Sequence, residues 1–472
     1  MIKRYQMTIG GQPVTADAHA QVRNPANTEE VVGEAPIATA GHLDLAVEAA
    51  GKAFRSWRNS SDAERVEACE AVAGVCADNA EELATLLTRE QGKPLDGVGS
   101  RFELGGCSAW ASYTGSIGLP DRVLEDSEER HVVQQRVPLG VAASITPWNW
   151  PLIIAIWHMM PGIRTGNTVI VKPSPFTPLS TLRMVELINE VLPAGLVNAV
   201  SGGDELGAEL TSHPGIDKIV FTGSIETGKK VMASAAAGVT PVTLELGGND
   251  PGIVLPGANP ERFAEDLFFA SMVNSGQTCG ALKRLYVHKS EVDAVADALA
   301  RFSANVPMGD GMQEGNVLGP LQNERQFKRV IELVEDAKNR GGTCVTGGKA
   351  AGGPNYFYPV TFVTDVSDGV RLVDEEQFGP VLPIIAYSDI EDAIERANGT
   401  RYGLGASVWG MDEAKCDRVA AQLEAGTVYV NKHAEIQPHV PFGGIKHSGL
   451  GVEFGREGLA AYTSIRIVNK AA

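Results

Sequence analysis

Between Leu139 and Ser224 short apolar runs alternate with helix-length segments: GVAASITPWNWPL, a helical run through Trp157, NTVIVKPSPFTP, a helix, VNAVSGG, a helix, then KIVFTGS. Strands separated by a helix re-enter the sheet in the same direction, so the pattern demands crossover units and a parallel sheet. This is a doubly wound α/β pattern of the nucleotide-binding kind, and such sheets bind ligands beyond the carboxyl ends of their strands. A chain of 472 residues exceeds one such core. At roughly 100–200 residues per domain it predicts two to three domains, with two large lobes.

Flanking stretches read differently. Residues 1–40 alternate short apolar runs with turns, as in MTIGGQPV and NPANTEE, and predict a strand-rich lead-in. Leu45, Ala46, Ala49, Ala50 and Phe54 recur at helical spacing, and helical patterns continue to about Gly92. PDRVLEDSEERHVVQQRV, from Pro120 to Val137, is charged and alternating, which suits a hairpin leaving the body of its domain. The Gly and Pro clusters at 247–257 and 342–354 are the linker candidates.

Forty basic against 58 acidic residues leave a net charge of −18, which repels phosphodiester backbones and anionic membrane surfaces. No nucleic-acid partner is expected. No apolar run approaches the roughly 18 residues of a membrane span, and the N-terminus lacks an apolar signal core. The six cysteines, at 69, 76, 107, 279, 344 and 416, form no CxxC pair and no Cys/His cluster, so no metal site is expected. A reducing, cytoplasmic setting fits this usage.

Candidate chemistry concentrates between Glu245 and Arg284. Cys279 sits in GQTCGA, where small neighbours leave room for an approaching substrate, and a thiolate is a nucleophile. Glu245 closes the apolar run VTLEL, 34 residues before Cys279, where burial would raise its pKa toward that of a general base. A packed, inert thiol is the bland alternative. Asn149, in the Pro-bounded turn TPWNWP, offers an amide donor for an oxyanion, or plain turn chemistry. Lys172 ends TVIVK at the presumed carboxyl edge of the sheet, where it suits a ribose or phosphate.

The dinucleotide fingerprint GxGxxG does not follow any of these strands, and GGDELG at 202–207 matches it only loosely. FTGSIETGKK at 221–230 instead runs from a strand into a helix whose N-terminus could face a pyrophosphate. It also satisfies GxxxxGK, but Lys230 stands where an ATP-binding loop needs Ser or Thr.

Taken together, ITPWNWPL, FTGS, TLELGGNDP, GQTC, EEQFGPVLP and PFGGIKHSGLGVEFG, in order and at matching spacings from about residue 24 to about 462, resemble the aldehyde dehydrogenase superfamily. The resemblance implies a Rossmann-type cofactor domain (1–119 and 139–246), an α/β catalytic domain (247–445) and a small β oligomerisation arm (120–138 and 460–472) of a homodimer or homotetramer. It implies Cys279 as nucleophile, Glu245 as general base, and Asn149 with the Cys279 N–H as oxyanion hole. Trp148, Lys172, Ser174, Gly223, Ser224, Glu376 and Phe378 are the implied cofactor residues.

Trp150, Ile154, Trp157 and Thr278 are the implied aldehyde tunnel, and their bulk suits an apolar or aromatic aldehyde. His433, Glu435, Gln437 and His439 would give a polar tunnel mouth. Where many NAD-using members carry a ribose-binding glutamate this chain has Pro175, so NAD is the expected cofactor with NADP admitted. The expected reaction oxidises an aldehyde to a carboxylic acid through a thiohemiacetal and thioester on Cys279. A coenzyme A-acylating dehydrogenase, a cofactor-free thiol hydrolase and a catalytically silent dinucleotide-binding scaffold are the alternatives.

Overall fold

The computed structural model describes residues 2–471 and is an α/β protein, as the strand–helix alternation predicts. Its first sheet has eight strands in the order Gly449–Leu450, Val242–Glu245, Lys218–Thr222, Val141–Ile145, Thr168–Lys172, Val197–Ala199, Met7–Ile9, Gln12–Val14. The five central strands, from Val242–Glu245 to Val197–Ala199, are parallel. Helices cover both of their faces, which is why they read as unbroken apolar runs. From Val141–Ile145 the chain steps out through Thr168–Lys172 to Val197–Ala199, then returns to pair Lys218–Thr222 on the opposite side of Val141–Ile145. That reversal opens a crevice at the carboxyl ends of Val141–Ile145 and Lys218–Thr222.

The second sheet has seven strands in the order Thr343–Cys344, Thr361–Val366, Val381–Tyr387, Leu282–His288, Asp250–Val254, Gly405–Trp409, Thr427–Val430, all parallel except the first. The 247–257 cluster is a linker only at its start, since residues 247–249 join the two sheets and a strand follows at once. Asp250–Val254 is a buried central strand, and a Cβ on Gly252 would come within 2.6 Å of Leu282 Cδ1, so glycine there serves close strand packing. The 342–354 cluster likewise contributes the edge strand Thr343–Cys344.

Only residues 246–249 separate the last strand residue of the first sheet, Glu245, from the first of the second, Asp250. Cys279 precedes Leu282–His288 by a short turn. The chain thus delivers a carboxylate and a thiol to the junction of the two sheets.

The charged stretch after Pro120 forms the antiparallel hairpin Arg122–Asp126 and Arg130–Pro138, and Thr463–Ala471 pairs with the latter along its whole length. Val123, Leu124, Ile465 and Ile467 on this three-stranded sheet are 48–56% exposed. Among the described residues no helix is long and apolar enough to cross a membrane.

Candidate active site

The turn ahead of Cys279 is held open by backbone that few residues tolerate. Asn274, Ser275 and Gly276 have φ of 52°, 55° and 74°, and a Cβ on Gly276 would stand 2.1 Å from the Gly379 carbonyl. Glycine is required there because the loop abuts the EEQFG stretch. Gln277, fully buried, pins the turn: its Nε2 donates to Asn274 O (2.9 Å) and Pro320 O (3.3 Å), and its Oε1 accepts from Gln322 N (2.8 Å).

Cys279 is half-buried on the wall of a cavity of about 860 Å³ at the sheet junction. Burial pushes its thiol up to about 12; Lys283 pulls it down, while Glu245, Glu376 and Asp250 push it further up. Glu245, 5% exposed, lines the same cavity. Burial first, and the charge of Glu453 second, hold its carboxyl well above the ordinary carboxylate range, and its Oε1 has no hydrogen-bond partner. A buried acid of this kind can take a proton near neutral pH.

Asn149, 3% exposed, spends one amide hydrogen on Gln277 O (2.9 Å), which leaves the second for a ligand. Among the described residues the Cys279 backbone N–H finds no acceptor. The Asn149 turn is braced from beneath by two residues that sequence reasoning missed. Lys93 Nζ donates to Asn149 O (2.8 Å) and to Glu103 Oε2 (2.6 Å), and lies 3.5 Å from the Trp150 ring centroid. Glu103 Oε1 accepts from Leu152 N (2.8 Å) and Ile153 N (3.1 Å), capping the helix Pro151–Arg164. Both charged side chains are 0% exposed. Lys93 lies in the loop between the helices Ala80–Gln91 and Ser100–Ser116 and Glu103 in the second of them, and no local signal marks either as buried.

All seven expected cofactor residues line the cavity. Lys172, 4% exposed, is pulled down to about 8 by burial, opposed by Asp204, and its ammonium donates only to the neighbouring Pro173 O (3.3 Å). Ser224 caps the helix Ile225–Ala236 by accepting from Thr227 N (3.3 Å). Because that helix starts at Ile225, Gly228 and Lys229 lie inside it, and no ATP-type phosphate loop forms. Phe378, at φ 47°, stands edge-on to Trp148 with centroids 5.3 Å apart. Glu376 is paired with Lys283 Nζ at 2.9 Å, a partner the sequence reading did not anticipate. Unspent ammonium hydrogens on Lys172, a helix N-terminus and a buried carboxylate at the far end fit the phosphates and ribose hydroxyls of a pyridine dinucleotide.

The four expected tunnel residues do not line this cavity. Trp150 Nε1 donates to Thr278 Oγ1 (3.0 Å) with both residues buried, and Ile154 is 1% exposed in the core. Trp157 is half-buried and belongs to an aromatic file that sequence reading missed. Its ring lies 5.7 Å from Trp110 and 4.8 Å from Phe454, and Phe454 lies 6.2 Å from Phe442. Phe442 Cζ in turn is 3.7 Å from where a Cβ of Gly280 would stand, next to Cys279. Of the four residues expected at a polar mouth, His433 has a fully buried side chain 3.5 Å from Asp250, while Glu435 is exposed and ion-paired with Lys432.

Comparison with known proteins agrees with this geometry. The family model described as "Aldehyde dehydrogenase family" matches residues 14–468. A Pseudomonas sp protein named "Probable aldehyde dehydrogenase" is 39% identical over 474 residues, covering 98% of this chain and 94% of the relative. The NAD+ complex of an aldehyde dehydrogenase from Bacillus cereus superposes with a TM-score of 0.96 at 36% identity, covering 99% of this chain and 97% of that one. An NADP-dependent enzyme of E. coli superposes with a TM-score of 0.96 at 33% identity, covering 100% and 98%. The protein belongs to the aldehyde dehydrogenase family, and is an NAD(P)-dependent oxidoreductase acting on aldehydes.

Proposed function

We propose that the protein oxidises an apolar or aromatic aldehyde to the free carboxylic acid, with either NAD or NADP as hydride acceptor. The observation that carries the reading is the convergence of Cys279, Glu245, Asn149 and the seven cofactor residues on one cavity. Cys279, as thiolate, attacks the aldehyde carbon. The oxyanion that forms takes hydrogen bonds from the free Asn149 amide hydrogen and the Cys279 N–H. The nicotinamide, when bound, accepts the hydride, which leaves a thioester on Cys279. Glu245 then removes a proton from the water that attacks this thioester, and the acid departs as the thiolate is restored. A base so placed favours hydrolysis over transfer to coenzyme A.

The aromatic file Trp110, Trp157, Phe454 and Phe442 ends beside Cys279 and supports an apolar or aromatic substrate. Pro175 supports use of both cofactors, since it puts no carboxylate of its own beside Lys172 and Ser174; Asp204, which also lines the cavity, is the acid in the field of Lys172. The exposed Val123, Leu124, Ile465 and Ile467 support burial of the arm against a second copy of the chain, as a dimer or tetramer. The deciding experiment follows reduced-cofactor absorbance with each cofactor in turn, over aliphatic, aromatic and semialdehyde substrates, without coenzyme A. Reduced cofactor with aromatic aldehydes is the expected result. Turnover only after coenzyme A is added would replace hydrolysis by acyl transfer.

A further inference from the structure

Lys283 lies in the buried strand Leu282–His288, and its side chain is 2% exposed. An ammonium in such a place is costly unless partners meet it. Its Nζ donates to Gly248 O (3.1 Å) and to Cys279 O, stands 2.9 Å from Glu376 Oε1, and lies 5.5 Å from the Phe378 ring centroid. These partners come from three separate stretches: the turn after Glu245, the nucleophile loop and the cofactor-facing EEQFG segment. No step of the reaction above uses this cation.

The nucleophile has need of one. Around Cys279 stand the carboxylates of Glu245, Glu376 and Asp250, with His433 against Asp250 and the Tyr429 phenol near both Asp250 and Cys279. Three potential anions oppose a fourth, and a helix dipole does not relieve them, because the turn Val273–Gly276 ends before Cys279. Lys283 reaches the nucleophile by donating to the backbone carbonyl of Cys279, so the cation is tied to the residue that carries the sulfur.

We propose that Lys283 is a positioning residue of the reaction, whose ammonium clamps the Cys279 loop to Gly248 and Glu376 and supplies the positive charge beside which the thiolate forms. The proposal rests on Cys279 being the nucleophile. Glu376 shares the cation, so the carboxylate on the cofactor side attenuates the field at the thiol.

Alkylation of Cys279 by iodoacetamide, followed on its peptide by mass spectrometry across a pH series, tests this without any turnover. K283M is expected to displace the log rate against pH downward at unchanged slope, by about tenfold or more at a given pH, and K283R to restore most of the loss. E376Q, which frees the ammonium from its carboxylate, is expected to raise the rate. A merely structural role predicts the opposite sign for K283M, since a loosened loop exposes the thiol and speeds alkylation. A K283M rate at or above wild type in a folded protein overturns the proposal. Should K283M fail to fold, K283Q decides in the same pH series, and a rate at or above wild type overturns the proposal. Failure of the wild type to oxidise any aldehyde would end the functional reading yet leave these alkylation profiles intact, so the two failures are distinguishable.

Discussion

Two kinds of buried carboxylate surround the site, and they differ in whether their oxygens are spent. Glu90 and Glu103 are both 0% exposed and fully engaged: Glu90 accepts from Leu179 N and Ser180 N, each at 2.8 Å, and Glu103 from Lys93, Leu152 and Ile153. Glu245 and Glu376 are also held in low dielectric, and burial raises the pKa of both, yet Glu245 Oε1 has no hydrogen-bond donor and Glu376 Oε1 meets the Lys283 ammonium at 2.9 Å. The first pair ties helices and turns together. The second pair faces the cavity, Glu245 with its Oε1 bare for a ligand or a proton to complete and Glu376 with its charge met by Lys283. Completeness of hydrogen bonding, rather than depth of burial, separates frame from site.

The sharpest way to break this contrast is to exchange the charge of a site carboxylate for an amide. Glu245→Gln is expected to slow hydrolysis of the thioester by about 10²–10⁴-fold, so that acyl-enzyme accumulates after one turnover and shows in intact-protein mass. Its thermal midpoint should barely move, because no hydrogen bond to Oε1 is lost. A full steady-state rate would remove Glu245 from the role of base.

A frame carboxylate should behave the other way. Glu103→Ala leaves Lys93 buried and unpaired and strips the cap from Pro151–Arg164, for an expected cost of about 3–5 kcal/mol in urea unfolding. Activity falls as a consequence, since Lys93 also holds the carbonyl of Asn149. A stability loss no larger than that of Glu245→Gln would collapse the distinction between the two pairs.

Much of this was legible in the sequence, for a local reason. Central parallel strands are covered on both faces and so betray themselves as apolar runs, and Cys279, Glu245 and Asn149 each sit in a short motif whose backbone shape is local. What escaped depends on partners far along the chain. Lys93 meets Asn149 across 56 residues, and Lys283 meets Glu376 across 93; at neither position does the surrounding sequence tell a buried cation from a solvated one. The glycines of 247–257 misled because Gly252 answers a neighbouring strand rather than a flexible joint. The burial of His433 escaped because its partner Asp250 lies in a strand far back along the chain.

Adding a carboxylate at the cavity rim sharpens the contrast on the cofactor side. Pro175→Glu places an acid without a built-in partner near Lys172 and Ser174, where it meets whatever occupies the ribose end. It is expected to lower kcat/KM for NADP about tenfold or more through like-charge repulsion, while NAD is retained or improved. Steady-state kinetics with both cofactors check it, and an equal loss with the two would mean that the rim does not face the 2′-position.

The smallest expected effect is a shift rather than a loss. Glu245 is held above the ordinary range first by burial and then by Glu453, whose own carboxylate faces His158 Nε2 at 3.1 Å, with Lys218 and Tyr462 within its field. A raised carboxyl acts as base only above its raised pKa, so the hydrolytic rate falls as pH drops through that value. Its neutral form is the one the fold favours, so its contribution to stability is present below the ordinary carboxylate value and lost as pH rises through the raised one. Glu453→Gln removes the second cause and leaves the first. The acid limb of kcat is therefore expected to move to lower pH, and the alkaline loss of stability to diminish with it. A limb that stayed in place would assign the whole of the Glu245 shift to burial, and would make Glu453, held against His158, part of the frame.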